Sequence, residues 1–205
     1  MNGLRRRKSS GRRVKKLLYL VCEGEKTEPI YFENFRTPEC NFHIILSSSG
    51  RKNATGLVKE AIRKISAGSF DAAHGDQAWC VFDVDENDDD ELKAALSLAD
   101  ENGISIALSN PCFEIWYLIH YSFCSSKISR QDLLVKLDGH ISGYHKKLDV
   151  FSKLNGRLPS AVKNAQQLNE MHERAGVELI STRSNPSTQV FRVIETITKI
   201  KELNR

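Results

Sequence analysis

The sequence predicts an α/β protein, with a mainly parallel sheet flanked by helices and a C-terminal helical subregion. Over residues 17–124, short apolar runs alternate with segments whose apolar residues recur at helical spacing. This alternation is typical of strand–helix–strand units with right-handed crossovers. The 205 residues are enough for one domain with a well-buried core.

Four strands are expected, because four short apolar runs have the character of strands that are buried on both faces of a sheet. They cover residues 17–22, 43–46, 77–82 and 104–108. The apolar residues between them predict helices over 30–35, 57–65 and 92–99. Thr27 is expected to cap the first of these helices, Gly68 to end the second and Asn102 with Gly103 to end the third.

The fourth strand leads into Asn110 and Pro111, which fit the N-cap and the first position of a helix over residues 112–123. That helix is apolar nearly all round, so we expect it to be buried. Later helices are predicted over 127–138 and 160–174, and a final helix capped by Ser187. We therefore divide the chain into a flexible basic arm (residues 1–16), an α/β core (17–124) and a helical subregion packed on that core (125–205).

Composition and charge suggest a protein of the cytoplasm. No apolar stretch reaches the roughly 18 to 20 residues of a membrane span, and no signal-peptide core follows the basic N-terminus. The five cysteines include no Cys-x-x-Cys pair, which argues against a disulfide framework and a zinc site. The net charge is +4, with basic residues crowded into the arm. Such an arm beside an acidic cluster suits binding of a nucleic acid, although a solubilising tail explains the arm equally well.

Asp83 and Asp85 stand where the third strand is expected to end. Side chains at i and i+2 of a strand share a face, so the two carboxylates can converge, and converging carboxylates need a proton or a cation between them. Oxygen ligands without a nearby Cys or His pair suggest Mg²⁺ or Mn²⁺. Glu23 follows the first strand at the same predicted sheet edge and is the natural third carboxylate. The alternative is an acidic loop that only caps the helix near Asp89.

Three further residues are candidates for this edge. Glu28 either faces the metal or favours the positive end of its helix. Lys26 either binds a phosphate or is an ordinary surface lysine. Glu114 lies in the first turn of an apolar helix, where burying it unpaired is costly. It therefore needs a metal, a basic residue or backbone amides as a partner.

Three residues outside the acidic motifs have either a functional or a purely structural role. His120 is better explained as a core histidine than as a general acid or base. Arg183 and Lys163 either contact a nucleic-acid backbone or belong to a solvated face.

Four segments resemble, in the same order, the RloB family, a bacterial group also described as abortive-infection proteins. They are LVCEGEKTEPIYFENF, WCVFDVDEN, ALSNPCFEIWYLIHY and NPSTQVFRVIETI. That family is similar to Toprim-fold proteins, so the resemblance implies a Toprim-like sheet in which Glu23, Asp83 and Asp85 form the metal-binding core. Glu28 and Glu114 would then be accessory acids. The resemblance also implies a role in defence against phage or foreign DNA, often beside an ABC-type ATPase.

Residues and resemblance together predict a Mg²⁺- or Mn²⁺-dependent endonuclease that acts on DNA or RNA. The expected catalytic residues are Glu23, Lys26, Asp83, Asp85 and Glu114, and the expected metal ligands are Glu23, Glu28, Asp83 and Asp85. The chain is too short to hold the additional apparatus of a topoisomerase or a primase. Two alternatives stay open: a non-catalytic metal-binding sensor or partner subunit of an ATPase, and an enzyme that acts on small phosphoesters.

Overall fold

The computed structural model describes residues 15–37, 42–48, 53–85 and 87–202 and confirms the predicted fold class. The strands are β1 (Lys16–Cys22), β2 (Phe42–Ser48), β3 (Gln77–Asp83), β4 (Ile104–Asn110) and β5 (Ser187–Thr188). The helices are α1 (Thr27–Glu33), α2 (Ala54–Ala67), α3 (Asp89–Glu101), α4 (Glu114–Leu118), α5 (Arg130–Asp138), α6 (Phe151–Leu154), α7 (Leu158–Arg174) and α8 (Val190–Glu202). Residues 1–14 of the predicted basic arm lie outside the described residues, and Lys16 already belongs to β1.

The five strands form one sheet in the order β2-β1-β3-β4-β5. The first four are parallel, and α1, α2 and α3 provide the crossovers between them. In the pairing of β1 with β3, Cys22 lies opposite Val81. The residues that follow β1 and those that end β3 therefore lie side by side at the carboxyl edge of the sheet.

Alternate strand residues enter two separate cores, as the pleat of a strand requires. Leu18 and Leu20 face a core that contains α1 and the C-terminal helices α4 to α8. Tyr19 and Val21 face the opposite core, which α2 and α3 cover. The helices after β4 thus share a continuous apolar core with the central strands.

The region after β4 differs from the prediction. Asn110 is the last residue of β4 rather than a helix cap, because the short antiparallel strand β5 pairs Ser187 with it. The Asn110 side chain instead donates to the carbonyls of Ser181 and Thr182, at 3.3 and 3.2 Å. Helix α4 begins at Glu114, three residues after Pro111, and is shorter than predicted.

Two other predicted caps are wrong. Thr27 lies inside α1, where Lys26 holds the N-cap position without a side-chain hydrogen bond. Ser187 belongs to β5, and α8 begins at Val190. The predicted ends of α2 at Gly68 and of α3 at Asn102 are confirmed. Within the described ranges, no helix combines the length and the apolar character that a membrane crossing requires.

Gln189 provides a test of how α8 is attached to the sheet. Leu108 N–H donates to Gln189 Oε1, and Gln189 N–H donates to the Leu108 carbonyl, both at 3.0 Å in a fully buried setting. Gln189→Leu leaves the Leu108 N–H without a partner, so the free energy of unfolding should fall by about 1–3 kcal/mol. Urea denaturation measures this, with Gln167→Leu on the exposed face of α7 as the control. Equal effects of the two substitutions would contradict the prediction.

Candidate functional site

One cavity of about 380 Å³ lies at the carboxyl edge of the sheet and brings together all the predicted site residues. Its acidic lining residues are Glu23, Glu25, Glu28, Asp83, Asp85 and Glu114. Its basic lining residues are Lys26, Arg130 and Lys146. The cavity therefore combines a cluster of carboxylates with three cations, a combination that can bind both a metal ion and a phosphate.

Glu23 and Asp83 are neighbours because β1 and β3 are adjacent parallel strands. Glu23 directly follows β1, and its Oε2 accepts a hydrogen bond from Asp83 N–H at 3.2 Å. Asp83 is the last residue of β3 and only 7% exposed. Its Oδ1 is buried without a hydrogen-bond partner in the described structure. Such an orphaned carboxylate oxygen is costly unless it has a ligand or a proton.

Asp85 does not continue the strand, so the expected shared strand face is not what brings it close to Asp83. Its φ of 28° places it in the left-handed region, which aspartate tolerates better than most residues. The two carboxylates nevertheless meet at Arg130. Nη1 of Arg130 lies 2.7 Å from Asp85 Oδ1, and Nη2 lies 3.7 Å from Asp83 Oδ2.

Glu28 is in the first turn of α1 and is only 5% exposed. Its Oε1 accepts a hydrogen bond from Gly24 N–H at 3.3 Å. A Cβ at position 24 would collide with the Glu28 carboxylate and displace it from this position, so glycine allows the close approach of the side chain. Gly24 and Glu28 therefore act together to place a buried carboxylate at the cavity wall.

Glu114 is 1% exposed at the start of α4. A tyrosine, which was not among the partners expected from the sequence, binds it in the structure. The Tyr144 hydroxyl donates to Glu114 Oε1 at 3.0 Å, which reduces the cost of burying the carboxylate. The Tyr117 hydroxyl beside it donates to the Thr27 carbonyl at 3.3 Å and links α4 to the start of α1.

Crowding of these carboxylates changes their protonation. Burial raises the pKa of Asp83 well above its usual range, and repulsion from Glu28 and Glu114 raises it further, while Arg130 opposes the shift. Burial likewise raises the pKa of Glu23 to about 7, although the Asp83 N–H opposes this. The pKa of Glu28 is also raised, mainly by burial. The cavity therefore holds its carboxylates together only with bound protons or with nearby cations.

The donor set suits a hard divalent cation, since the acidic side chains supply only oxygen atoms and Asp83 Oδ1 is buried without a partner in the part of the chain that the structure describes. Within the described ranges, however, no three Asp, Glu, His or Cys side chains are arranged to hold a metal ion. Binding a cation therefore requires at least some of these side chains to move closer together. Asp85 has room to do so because its side chain is 39% exposed.

Arg130 and Lys146 line the cavity but were not predicted as site residues, and neither was Tyr144, which donates to the cavity residue Glu114. Ser129 caps α5 by accepting the Asp132 N–H at 3.1 Å, which makes Arg130 the first residue of that helix. The cap is recognisable in the sequence, but nothing local shows that the helix starts beside β3. Tyr144 and Lys146 lie in a loop that no periodic pattern locates.

The remaining candidates lie away from the cavity lining. His120 is buried, its Nδ1 lies 2.8 Å from the Trp116 carbonyl, and burial lowers its pKa to about 4. Arg183 is exposed, with its Nε 3.9 Å from Asp89 Oδ2. Lys163 is exposed on α7. None of the three lines the cavity.

Fold and site define an α/β protein with a mostly parallel five-stranded sheet and a carboxylate-lined cavity at the carboxyl edge of that sheet. The model of the RloB-like protein family matches residues 18–197, and the chain belongs to this family. No curated protein matches the chain, and no solved structure matches it.

Arg130→Gln tests the electrostatic balance of the cavity. The substitution removes the cation between two carboxylates, so in EDTA at about pH 8 the free energy of unfolding should fall by about 1 kcal/mol. Carboxyl groups with raised pKa values take up protons as the pH falls, so they need the guanidinium less. The loss should therefore shrink at about pH 5.

Thermal and urea unfolding of the Arg130→Gln variant at both pH values would measure this difference. Arg174→Gln is the control, because Arg174 is paired with Glu170 on an exposed helix face. A loss for Arg130→Gln that is the same at both pH values would contradict the assigned electrostatics.

Proposed function

We propose that this protein is a metal-dependent nuclease that hydrolyses phosphodiester bonds of DNA or RNA. One observation carries the proposal: carboxylates from the ends of β1 and β3 and from the first turns of α1 and α4 line one cavity. In that cavity a buried Asp83 oxygen has no hydrogen-bond partner among the residues that the structure describes. A group of anions held this closely is stable only with a compensating charge. A divalent cation would supply that charge and would also activate a water molecule for hydrolysis.

Glu23, Glu28, Asp83 and Asp85 are the residues that would hold Mg²⁺ or Mn²⁺. When bound, such an ion activates water and stabilises negative charge on phosphate oxygens. The side chains prepare for this in different ways. Gly24 N–H and the surrounding core fix Glu28, and Asp83 is fixed by its place at the end of β3.

The cations of the cavity would position the phosphate. Lys26 and Lys146 are exposed and can meet an incoming anion. Arg130 presents a planar guanidinium, which matches two phosphate oxygens at once. Glu114 is held by Tyr144, and in this proposal it is an accessory acid that keeps the second side of the cavity negative.

We also propose a role in bacterial defence against phage or foreign DNA, with an ABC-type ATPase as a partner. This part of the proposal is supported by the family membership and by the resemblance described above. The acidic cavity by itself is equally suited to DNA and RNA, since both present the same phosphodiester group to it.

Cleavage assays test the nuclease proposal. Purified protein is incubated with plasmid DNA, single-stranded DNA and transfer RNA in the presence of Mn²⁺ or EDTA. Asp83→Asn and Glu23→Gln should each reduce the rate of cleavage by more than about a hundredfold. Mutating a residue that only hydrogen-bonds to a metal ligand already lowers metal affinity or activity roughly 10- to 100-fold. Lys59→Gln on the opposite side of the sheet is the control and should cleave normally. Metal binding without cleavage of any polymer, or undiminished cleavage by both variants, would contradict the proposal.

Stabilisation by metal should depend on pH. The pKa of Glu23 is about 7 in the folded protein, above its ordinary value of 4.5, so the folded state binds this proton more tightly than the unfolded chain does. Stability therefore falls as the pH rises through this window, and a divalent cation can replace the lost proton. Mn²⁺ should raise the melting temperature more at about pH 8 than at about pH 5. Equal shifts at both pH values, or shifts that persist in Asp83→Asn, would contradict the assignment of these ligands.

A further inference from the structure

A positively charged segment, residues 140–157, lies beside the cavity; we call it the basic segment. It contains four Lys and Arg residues but only one acid, Asp149. The exposed residues that can carry positive charge are His140, His145, Lys146, Lys147, Lys153 and Arg157. None of the four Lys and Arg side chains forms a salt bridge within the described ranges.

The basic segment is fixed to the cavity wall at several points. Tyr144 donates to Glu114, and the backbone carbonyl of Lys146 accepts from Thr27 Oγ1 at 3.5 Å. Its one acid is already used locally, because Asp149 Oδ1 accepts the Phe151 N–H at 3.0 Å and the Asn34 amide at 3.2 Å. The segment is therefore held at the cavity through Tyr144 and Lys146, and its one acid accepts hydrogen bonds from Phe151 and Asn34.

Two aromatic side chains, Tyr117 and Tyr121, lie along α4 and the turn that follows it, on the side of the helix that carries Glu114. Glu114, Tyr117 and Tyr121 are spaced at i, i+3 and i+7, so they lie along one side of α4 and the turn that continues it. Tyr117 contacts Tyr144 with ring centroids 6.0 Å apart.

At Tyr121 the aromatic and basic features meet. The His140 ring stacks on the Tyr121 ring at 4.7 Å with an interplanar angle of 6°, and Arg157 lies 5.1 Å from the centre of the Tyr121 ring. His140 is itself exposed. A flat ring on a rigid support beside unpaired cations is the combination that binds the bases and phosphates of a single strand.

We propose that the basic segment binds the backbone of a single-stranded nucleic acid as it leaves the cavity, and that His140 provides a stacking surface for one of its bases. This inference rests on the proposed function, because the cavity would receive the bond to be cleaved. It specifies the substrate class as a polymer, since Lys147, Lys153 and Arg157 lie outside the lining of the cavity that would receive the reacting phosphate.

Binding can be measured separately from cleavage. Fluorescence anisotropy with a labelled single-stranded DNA oligonucleotide in EDTA, between about 50 and 200 mM salt, gives the affinity and its salt dependence. The variant Lys147→Gln with Lys153→Gln removes two charges of the basic segment. The matched control, Lys59→Gln with Lys93→Gln, removes two exposed charges from α2 and α3 on the opposite side of the sheet.

The basic-segment variant should bind several-fold more weakly, and the slope of log affinity against log salt should fall by about 1.4, which corresponds to two lost phosphate contacts on a single strand. The control should bind like the wild type. Equal losses in the two variants, or no loss in the first, would overturn the inference. Wild-type protein that does not bind the oligonucleotide would overturn it as well.

Two further measurements separate this inference from the proposed function. If wild type and Asp83→Asn bind the oligonucleotide with the expected slopes but Mn²⁺ produces no cleavage, the nuclease proposal fails and the binding surface stands. If wild type cleaves and the basic-segment variant binds and cleaves as well as wild type, the proposed binding surface is wrong and the nuclease proposal stands.

His140→Ala should weaken binding to the single strand more than binding to a duplex of the same sequence, because paired bases cannot stack on the ring. An equal effect on both would contradict the stacking role.

Discussion

Repulsion between carboxylates at the carboxyl edge of the sheet is the constraint to which the rest of the site responds. Parallel pairing of β1 with β3 places Glu23 beside Asp83 despite the repulsion between their carboxylates. Because the strands are buried on both faces, this edge cannot open to separate them. Arg130, the Tyr144 hydroxyl and the backbone N–H groups of Gly24 and Asp83 each offset part of the repulsion.

The site combines residues of the α/β core with residues of the helical region that follows it in the chain. The acids come from the ends of β1 and β3 and from the helix starts that follow β1 and β4. Arg130 and Lys146 come from later in the chain, as does Tyr144, which donates to Glu114. The C-terminal helices pack in the same core as the central strands, so the backbone that carries these side chains is anchored to the sheet. Neither region alone contains the complete cavity.

The acids were predictable because parallel strands end at one edge, and the apolar runs located those ends closely enough to place Glu23 and Asp83. The partners of the acids were not predictable. Tyr144 meets Glu114 only through the docking of a loop on α4, and no local pattern encodes that contact. The two-residue strand β5 was missed for a related reason: Ser187 and Thr188 pair with β4 through a long-range contact, and this pairing also replaced the expected helix cap at Asn110.

Solvent exposure of the charged side chains increases from the floor of the cavity to its rim. Asp83, Glu28 and Glu114 are nearly inaccessible to solvent, whereas Lys26, Lys146 and the Asp85 carboxylate reach it. A negatively charged ligand is attracted at the rim and repelled at the floor, unless a positive ion arrives there as well. Anion and cation would then bind cooperatively, and by thermodynamic reciprocity each would raise the affinity for the other by the same factor.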